Sequence, residues 1–231
     1  MPMLIAGLQK LTLLDYPGKT ACTVFTHGCN FRCPFCHNAL LVTEKSDDFI
    51  SEESFFSFLS KRRGILDGVC ITGGEPTLQK DLIPFMEKIR DMGFLIKLDT
   101  NGYRPDVLEE ILGKGLADYI AMDIKASPER YGDATGIKDL DFSLILNSIE
   151  LLQKSGVAHE FRTTVTAELH SEEDFTKILA LFSPDTPYFI QQFKDSGSLI
   201  DSASTGWSTE RMKHLEQQLR PLHGNASLRG I

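Results

Sequence analysis

Along the chain, short runs of β-branched and aromatic residues alternate with longer runs whose apolar positions recur at helical spacing. The first extended run is TACTVFT (20–26). A helical run follows over 51–64, with Ser51 in the N-cap place, Ser54 three residues on, and Glu52 and Glu53 in the first turn. The second extended run, GVCITGG (68–74), leads into a helix over 79–93 that Gly93 suits as a terminus. The third, FLIKLDTNG (94–102), is followed by a helix opening at Pro105. The fourth, ADYIAMDIK (117–125), precedes an irregular stretch and a helix over 141–155 that stops at Gly156. The fifth, AHEFRTTVT (158–166), is followed by a helix opening at Ser171 with Glu172 and Glu173 behind it. The sixth, YFIQQF (188–193), runs into a polar loop and a last helix over 208–219.

Six strands alternating with helices predict an α/β fold with a parallel sheet. The strands are near-continuous apolar runs, as expected where both faces are covered. Right-handed crossovers curl such units into a barrel, and six fall short of the eight needed to close it. The expected architecture is therefore an open (β/α)6 partial barrel in a single domain. Residues 1–195 form its core, and residues 196–231 are a loop and helix packed on it.

In such folds the chemistry lies at the carboxyl ends of the strands. The informative polar residues of this chain stand there. THGCNFRCPFCHN follows the first strand, TGGEP the second, LDTNG ends the third and MDIK the fourth. Arg162 lies within the fifth, and QQFK ends the sixth. Groups far apart in sequence thus converge, which argues for an enzyme.

Composition narrows the choice. The chain has 231 residues, enough for one substantial core. Its formal charge is −8, from 24 basic and 32 acidic residues, so no cationic excess drives nucleic-acid binding by counterion release. No run approaches about 18 consecutive apolar residues, so no membrane span is expected. The opening MPMLIAGLQK lacks the charged-then-apolar plan of a signal peptide. Five cysteines, an odd number with three clustered, argue against a disulfide framework and for a reducing, cytoplasmic setting.

The cluster is Cys29, Cys33 and Cys36, spaced C-x3-C-x2-C. Three thiolates in one loop suit a soft metal. Zinc would close its shell with a fourth ligand, for which His37, awkwardly next to Cys36, and His27 are the local candidates. A cubane iron–sulfur cluster on three cysteines is the alternative, and it leaves one iron open to a small molecule. Gly73 and Gly74 let backbone approach a ligand, and Glu75 offers a carboxylate to an ammonium; the plainer reading is a tight turn with a solvated acid. Asp99 and Asp123, at neighbouring strand ends, repel unless a cation or hydrogen-bond donors intervene. Lys125 can neutralise them, meet an anionic ligand, or make an ordinary ion pair. Arg162 needs an anionic partner if it faces inward, and faces the helices otherwise. Cys22 and Cys70 read as small core residues. Trp207 reads as packing, and His159, His170, His214 and His223 as surface or local packing groups.

Together these motifs resemble the radical S-adenosylmethionine (SAM) superfamily: C-x3-C-x2-C, with Phe35 before its last cysteine, and then GGEP. The resemblance implies a partial barrel of that type and one [4Fe-4S] cluster on Cys29, Cys33 and Cys36. The iron lacking a protein ligand holds the amino and carboxylate groups of SAM. LDYPGKTACTVFTHGCNFRCPFCHN is similar, more narrowly, to activating enzymes of glycyl radical proteins, most of all that of anaerobic ribonucleoside-triphosphate reductase, with pyruvate formate-lyase activase a near relative. From this resemblance Gly73, Gly74, Glu75, Asp99, Thr100, Asp123 and Lys125 carry over as cofactor-binding residues, with a monovalent cation near Asp99 and Asp123. Arg162 is offered to the same ligand, and Lys194 stands near the place of a nucleoside contact that is often histidine in relatives. The implied reaction passes one electron from the cluster into the sulfonium, breaks its bond to the adenosyl carbon, and takes hydrogen from a glycine Cα of the partner. A glycyl radical protein and a flavodoxin or ferredoxin electron donor are the implied partners. Between Cys36 and Gly73 only Cys70 occurs, so a single cluster is expected.

Two rivals remain at this level. One is radical SAM chemistry on a small molecule, such as formation of 7-carboxy-7-deazaguanine. The other is a zinc-stabilised binding module without catalysis, which leaves Glu75, Asp99, Asp123 and Lys125 without a joint purpose.

Overall fold

The computed structural model describes residues 3–44, 48–195 and 197–231. Two residues of the N-terminal run and Ser196, where the C-terminal segment was expected to begin, lie outside the described residues. The strands are β1 (Ile5–Thr12), β2 (Ala21–Thr26), β3 (Gly68–Gly73), β4 (Leu95–Thr100), β5 (Tyr119–Asp123), β6 (Ala158–Val165), β7 (Tyr188–Gln192) and β8 (Ala226–Arg229), ordered in the sheet as in the chain. β2 to β7 are the six expected strands, trimmed by one or two residues at their ends, and the fold is an open α/β partial barrel.

Two strands go beyond the expected six. β1 pairs antiparallel with β2, with a register shift on either side of its middle, and β8 pairs parallel with β7. Neither carries a strong pattern. Gln9, Lys10 and Leu11 of β1 are exposed, and β8 is four residues long.

The helices are α1 (Ala39–Thr43), α2 (Glu52–Ser60), α3 (Leu82–Asp91), α4 (Pro105–Gly113), α5 (Tyr131–Thr135), α6 (Phe142–Ser155), α7 (Glu172–Leu179) and α8 (Thr209–Leu219), with single 3-10 turns at Pro76–Leu78 and Pro128–Arg130. Their starts obey local chemistry. The Ser51 hydroxyl accepts from the Ser54 amide at 3.1 Å, and Asp141 accepts from the Ser143 amide at 3.0 Å. At α7 the Ser171 amide and hydroxyl both donate to Asp174, at 2.8 and 2.7 Å. α2 ends four residues before the expected stop.

Two compact units can be told apart: Met1–Asn30, Leu40–Thr100 and Asp106–Ile120 form the first; Phe31–Ala39, Asn101–Pro105 and Ala121–Ile231 the second. In the first, Val24, Ile71, Leu98, Phe55, Phe85 and Met86 are fully buried, and the Phe55 and Phe85 rings lie 5.1 Å apart. In the second, Phe161, Phe175, Tyr188 and Ile190 are fully buried, with the Phe161 and Phe182 rings 4.6 Å apart. Burying each such side chain contributes roughly 1.5–3 kcal/mol. Trp207 packs as expected, its ring 5.9 Å from Phe175 and its face covered by Arg211 at 3.5 Å.

Candidate active site

Each unit prepares its own set of polar groups. In the first, the YPG turn closes the amino end of the strands. The Lys19 amide donates to the Tyr16 carbonyl at 3.1 Å, and the buried Tyr16 ring lies over Gly68, where a Cβ would press on it. Burial, with Asp118 adding to it, pushes the Tyr16 hydroxyl up to about 12. Asp15 accepts from the Thr23 hydroxyl at 2.5 Å.

At the carboxyl end of the same strands, the GGE segment lies against the chain entering the cysteine loop. The Gly74 amide donates to the Thr26 carbonyl at 2.9 Å, and the Glu75 amide to the Gly28 carbonyl at 2.8 Å. Gly73 has φ +114°, and a Cβ at Gly73 or Gly74 would collide with the backbone of Thr26 or Gly28. Both glycines are therefore required by this close approach.

Glu75 is buried, contrary to the plainer reading of a solvated turn acid. Its Oε1 accepts from the Thr77 amide at 3.1 Å, the Thr77 hydroxyl at 2.6 Å and the Thr100 hydroxyl at 2.8 Å. Pro76 opens a 3-10 turn here. Asp99 is ion-paired with Lys97, two residues earlier on β4, and the Lys97 ammonium is 3.9 Å from the Cys70 sulfur. Cys22 and Cys70 are fully buried, and burial pushes the Cys22 thiol up to about 12. Cys29 is a half-buried free thiol beside Asn30.

The second unit holds the remainder of the loop. The Arg32 amide donates to the Thr135 carbonyl at 2.8 Å, the Asp201 amide to the Pro34 carbonyl at 2.9 Å, and the Cys36 amide to the Cys33 carbonyl at 3.1 Å. Cys33 is buried, Cys36 half-buried, and both are free thiols. His37 stacks on Phe193 with ring centroids 5.4 Å apart. Burial and the nearby Lys125 hold its ring below the ordinary imidazole range, against the pull of Asp195.

Asp123, at the end of β5, stands between two cations. Arg162 Nε donates to Oδ1 at 2.8 Å and Lys125 Nζ to Oδ2 at 2.9 Å. Burial alone would raise its carboxyl, but Arg162 and Lys125 outweigh burial and hold it well below the usual carboxylate range. Burial likewise opposes the charge of Lys125, yet Asp123, and after it the Cys33 thiolate, keep it above the usual lysine range. The backbone here is clamped. The Ile124 amide donates to the Arg162 carbonyl at 2.7 Å, and the Thr163 hydroxyl to the Ile124 carbonyl at 2.8 Å. His170 Nδ1 accepts from the Thr166 amide at 3.1 Å, so Nε2 is the donor to the Lys125 carbonyl at 3.0 Å.

Within the first unit, then, Glu75 and Thr100 come together; within the second, Asp123, Lys125 and Arg162 do. Arg162 finds its anion in Asp123 and is not a helix-facing residue. Lys194 is exposed just past β7. Lys97 and Thr77 were not singled out from the sequence, and His170 was read only as a surface or local packing group. Lys97 had a signal, since residues two apart on a strand share a face with one another, here with Asp99. Thr77 and His170 had none, because an amide or carbonyl partner leaves no trace in side-chain pattern. His223, buried against the Thr186 carbonyl at 2.7 Å, is a packing group as expected.

Comparison with known proteins adds a family. The description "Radical SAM superfamily" matches residues 23–182. A Methanocaldococcus jannaschii protein named for glycyl-radical enzyme activation is 36% identical over 84% of this chain and 81% of its own length. The pyruvate formate-lyase-activating enzyme of Clostridium pasteurianum is 29% identical over 75% of this chain and 74% of its own. The 7-carboxy-7-deazaguanine synthase of Koribacter versatilis is 28% identical over 74% and 71%. Among solved structures, QueE from Escherichia coli superposes with TM-score 0.61 at 16% identity, over 100% of this chain and 95% of that one. SuiB of Streptococcus suis bound to S-adenosylmethionine superposes with TM-score 0.70 at 13% identity; 88% of this chain matches about half, 48%, of that one. At these identities the structural likeness speaks for the fold.

Proposed function

We propose that this chain, which belongs to the radical SAM superfamily, generates a glycyl radical on a partner enzyme, and that the partner is an anaerobic ribonucleoside-triphosphate reductase. The observation that carries the reading is the 36% identity to the archaeal protein named for that activation, spread over 84% of this chain. The similarity to the clostridial pyruvate formate-lyase-activating enzyme supports the same class of partner.

Membership brings a [4Fe-4S] cluster and SAM. The residues fit both. Three cysteines outside any disulfide stand in one loop, two glycines hold backbone where a Cβ would clash, and Glu75 is a buried carboxylate anchored by hydroxyls. When bound, the group supplies one reducing electron and a carbon radical able to take hydrogen from a glycine Cα. Cys29, Cys33 and Cys36 are proposed to hold the cluster. In the first unit, Gly73 and Gly74 bring backbone to the ligand and Glu75 takes its ammonium, while Thr100 fixes the Glu75 rotamer and Asp99 lines the same cofactor. In the second, Lys125 and Arg162, both paired with Asp123, are cations suited to a carboxylate. Lys194 is assigned to the nucleoside. A flavodoxin or ferredoxin supplies the electron, in the reducing cytoplasm that the free thiols suit.

The test is anaerobic reconstitution followed by incubation with SAM, a reductant and anaerobic ribonucleotide reductase. We expect a brown protein with about four irons and a glycyl radical signal on the reductase. A signal on pyruvate formate-lyase alone would reassign the partner. No glycyl signal on either, with turnover of a 7-deazaguanine precursor, would give the role to the small-molecule class, which the Koribacter relative represents. A colourless protein carrying one zinc would end the radical reading.

A further inference from the structure

The resemblance led to a monovalent cation near Asp99 and Asp123, and the side chains present do not fit one. Asp99 already meets the ammonium of Lys97, and each oxygen of Asp123 meets a cation, Arg162 or Lys125. A sodium or potassium ion added at Asp99 would stand against the ammonium of Lys97, which is itself only 2% exposed.

Lys97 and Asp99 are two apart on β4, so the pleat points them to one face and the chain holds them within reach of each other. A counter-ion tethered in this way is present at fixed local concentration whatever the bulk salt. Lys97 is otherwise hard to explain. It interrupts the apolar run of β4, it is desolvated, and its ammonium faces only Asp99 and the Cys70 sulfur among the contacts resolved. A buried ammonium persists where its charge is used.

We propose that Lys97 is the built-in counter-ion of Asp99 and that, through it, this chain binds SAM without a monovalent metal ion. Lys97 is thus a positioning residue acting through Asp99. The inference rests on the assignment of Asp99 to the cofactor site and not on the partner's identity.

The test measures SAM affinity of the reconstituted protein in potassium, sodium and tetramethylammonium chloride at equal ionic strength. Sodium-23 NMR linewidths of the same protein report ion binding without any turnover. Wild type should bind SAM within about twofold across the three salts and leave the sodium line unbroadened. Lys97→Met should lose about tenfold in tetramethylammonium, recover most of it in sodium or potassium, and broaden the sodium line; Lys97→Arg should behave as wild type. Wild-type affinity that falls about tenfold in tetramethylammonium and returns with sodium or potassium would overturn the proposal, as would Lys97→Met binding SAM normally in tetramethylammonium. If Lys97→Met fails to fold, the wild-type salt series and sodium line still decide. A failed glycyl radical assay leaves these readouts untouched, so the two proposals fail separately.

Discussion

Two aspartates at strand ends, one in each unit, are neutralised in different ways. Asp99 forms a closed pair with Lys97, whose side chain is 3% exposed. Asp123 sits between Lys125 and Arg162, whose side chains are 18% and 12% exposed. In the closed pair the cation is the buried member, and Asp99 keeps 15% of its side chain exposed. In the trio both cations keep some contact with solvent.

The sharpest way to break this comparison uses the two cysteines that lie near these lysines. Cys33→Ala should fail to retain a full cluster, and SAM cleavage should drop to background, measured as iron content and 5′-deoxyadenosine. Cys70→Ala, beside Lys97, should keep its iron and stay within about threefold of wild type, as expected of a core residue that loses one small group. Equal losses would show that the two environments do not differ in kind.

Next in size is the closed pair itself. Asp99→Asn leaves a buried ammonium short of its charge partner and should cost about 3 kcal/mol in denaturant unfolding. For a chain of this length that is about 6–12 °C in Tm. A buried acid elsewhere offers a control. Arg229 on β8 donates to both oxygens of the fully buried Glu160, at 2.6 and 3.0 Å, and its guanidinium lies 3.6 Å over Phe189. Arg229→Ala should cost about 2–3 kcal/mol.

Asp123→Asn should cost less, about 1–2 kcal/mol, because the two cations it leaves can reach water. Its acid behaviour should change more plainly. The Asp123 carboxyl titrates below its unfolded range, so its stabilisation is present above about pH 4 and fades as pH falls below that. The Asn variant should lack that part of the acid slope. Smallest is His170, which burial holds below the ordinary imidazole range. It takes up its proton more readily on unfolding, so stability it supports above about pH 6.5 is lost as pH falls. His170→Gln should flatten the loss between about pH 7 and 5.5 in urea titrations; an unchanged slope would remove His170 from the account.

Much of this molecule was legible in its sequence. The six central strands, the helix starts at Ser51, Pro105, Ser171 and Ser208, and the placement of the cysteine loop, GGE, DTNG and DIK at strand ends all followed from periodicity and capping chemistry. Burial of Cys22 and Cys70 and the packing of Trp207 followed from residue type. The edge strands β1 and β8 did not, since one is exposed over Gln9, Lys10 and Leu11 and the other spans a single short run. Arg162 was left between two faces, and contact with Asp123, 39 residues earlier, settled it.

By itself the sequence determined the central strands, the helix starts and the order along the sheet in which its motifs stand, because strand period, helix caps and cysteine spacing are local. Tertiary structure alone decided which charge answers which. Lys97 was placed on Asp99, two cations on Asp123, Arg229 on Glu160, and three donors on one oxygen of Glu75. Those pairings depend on strand register and on how far each side chain is removed from water, and neither is written in the spacing of residues along one chain.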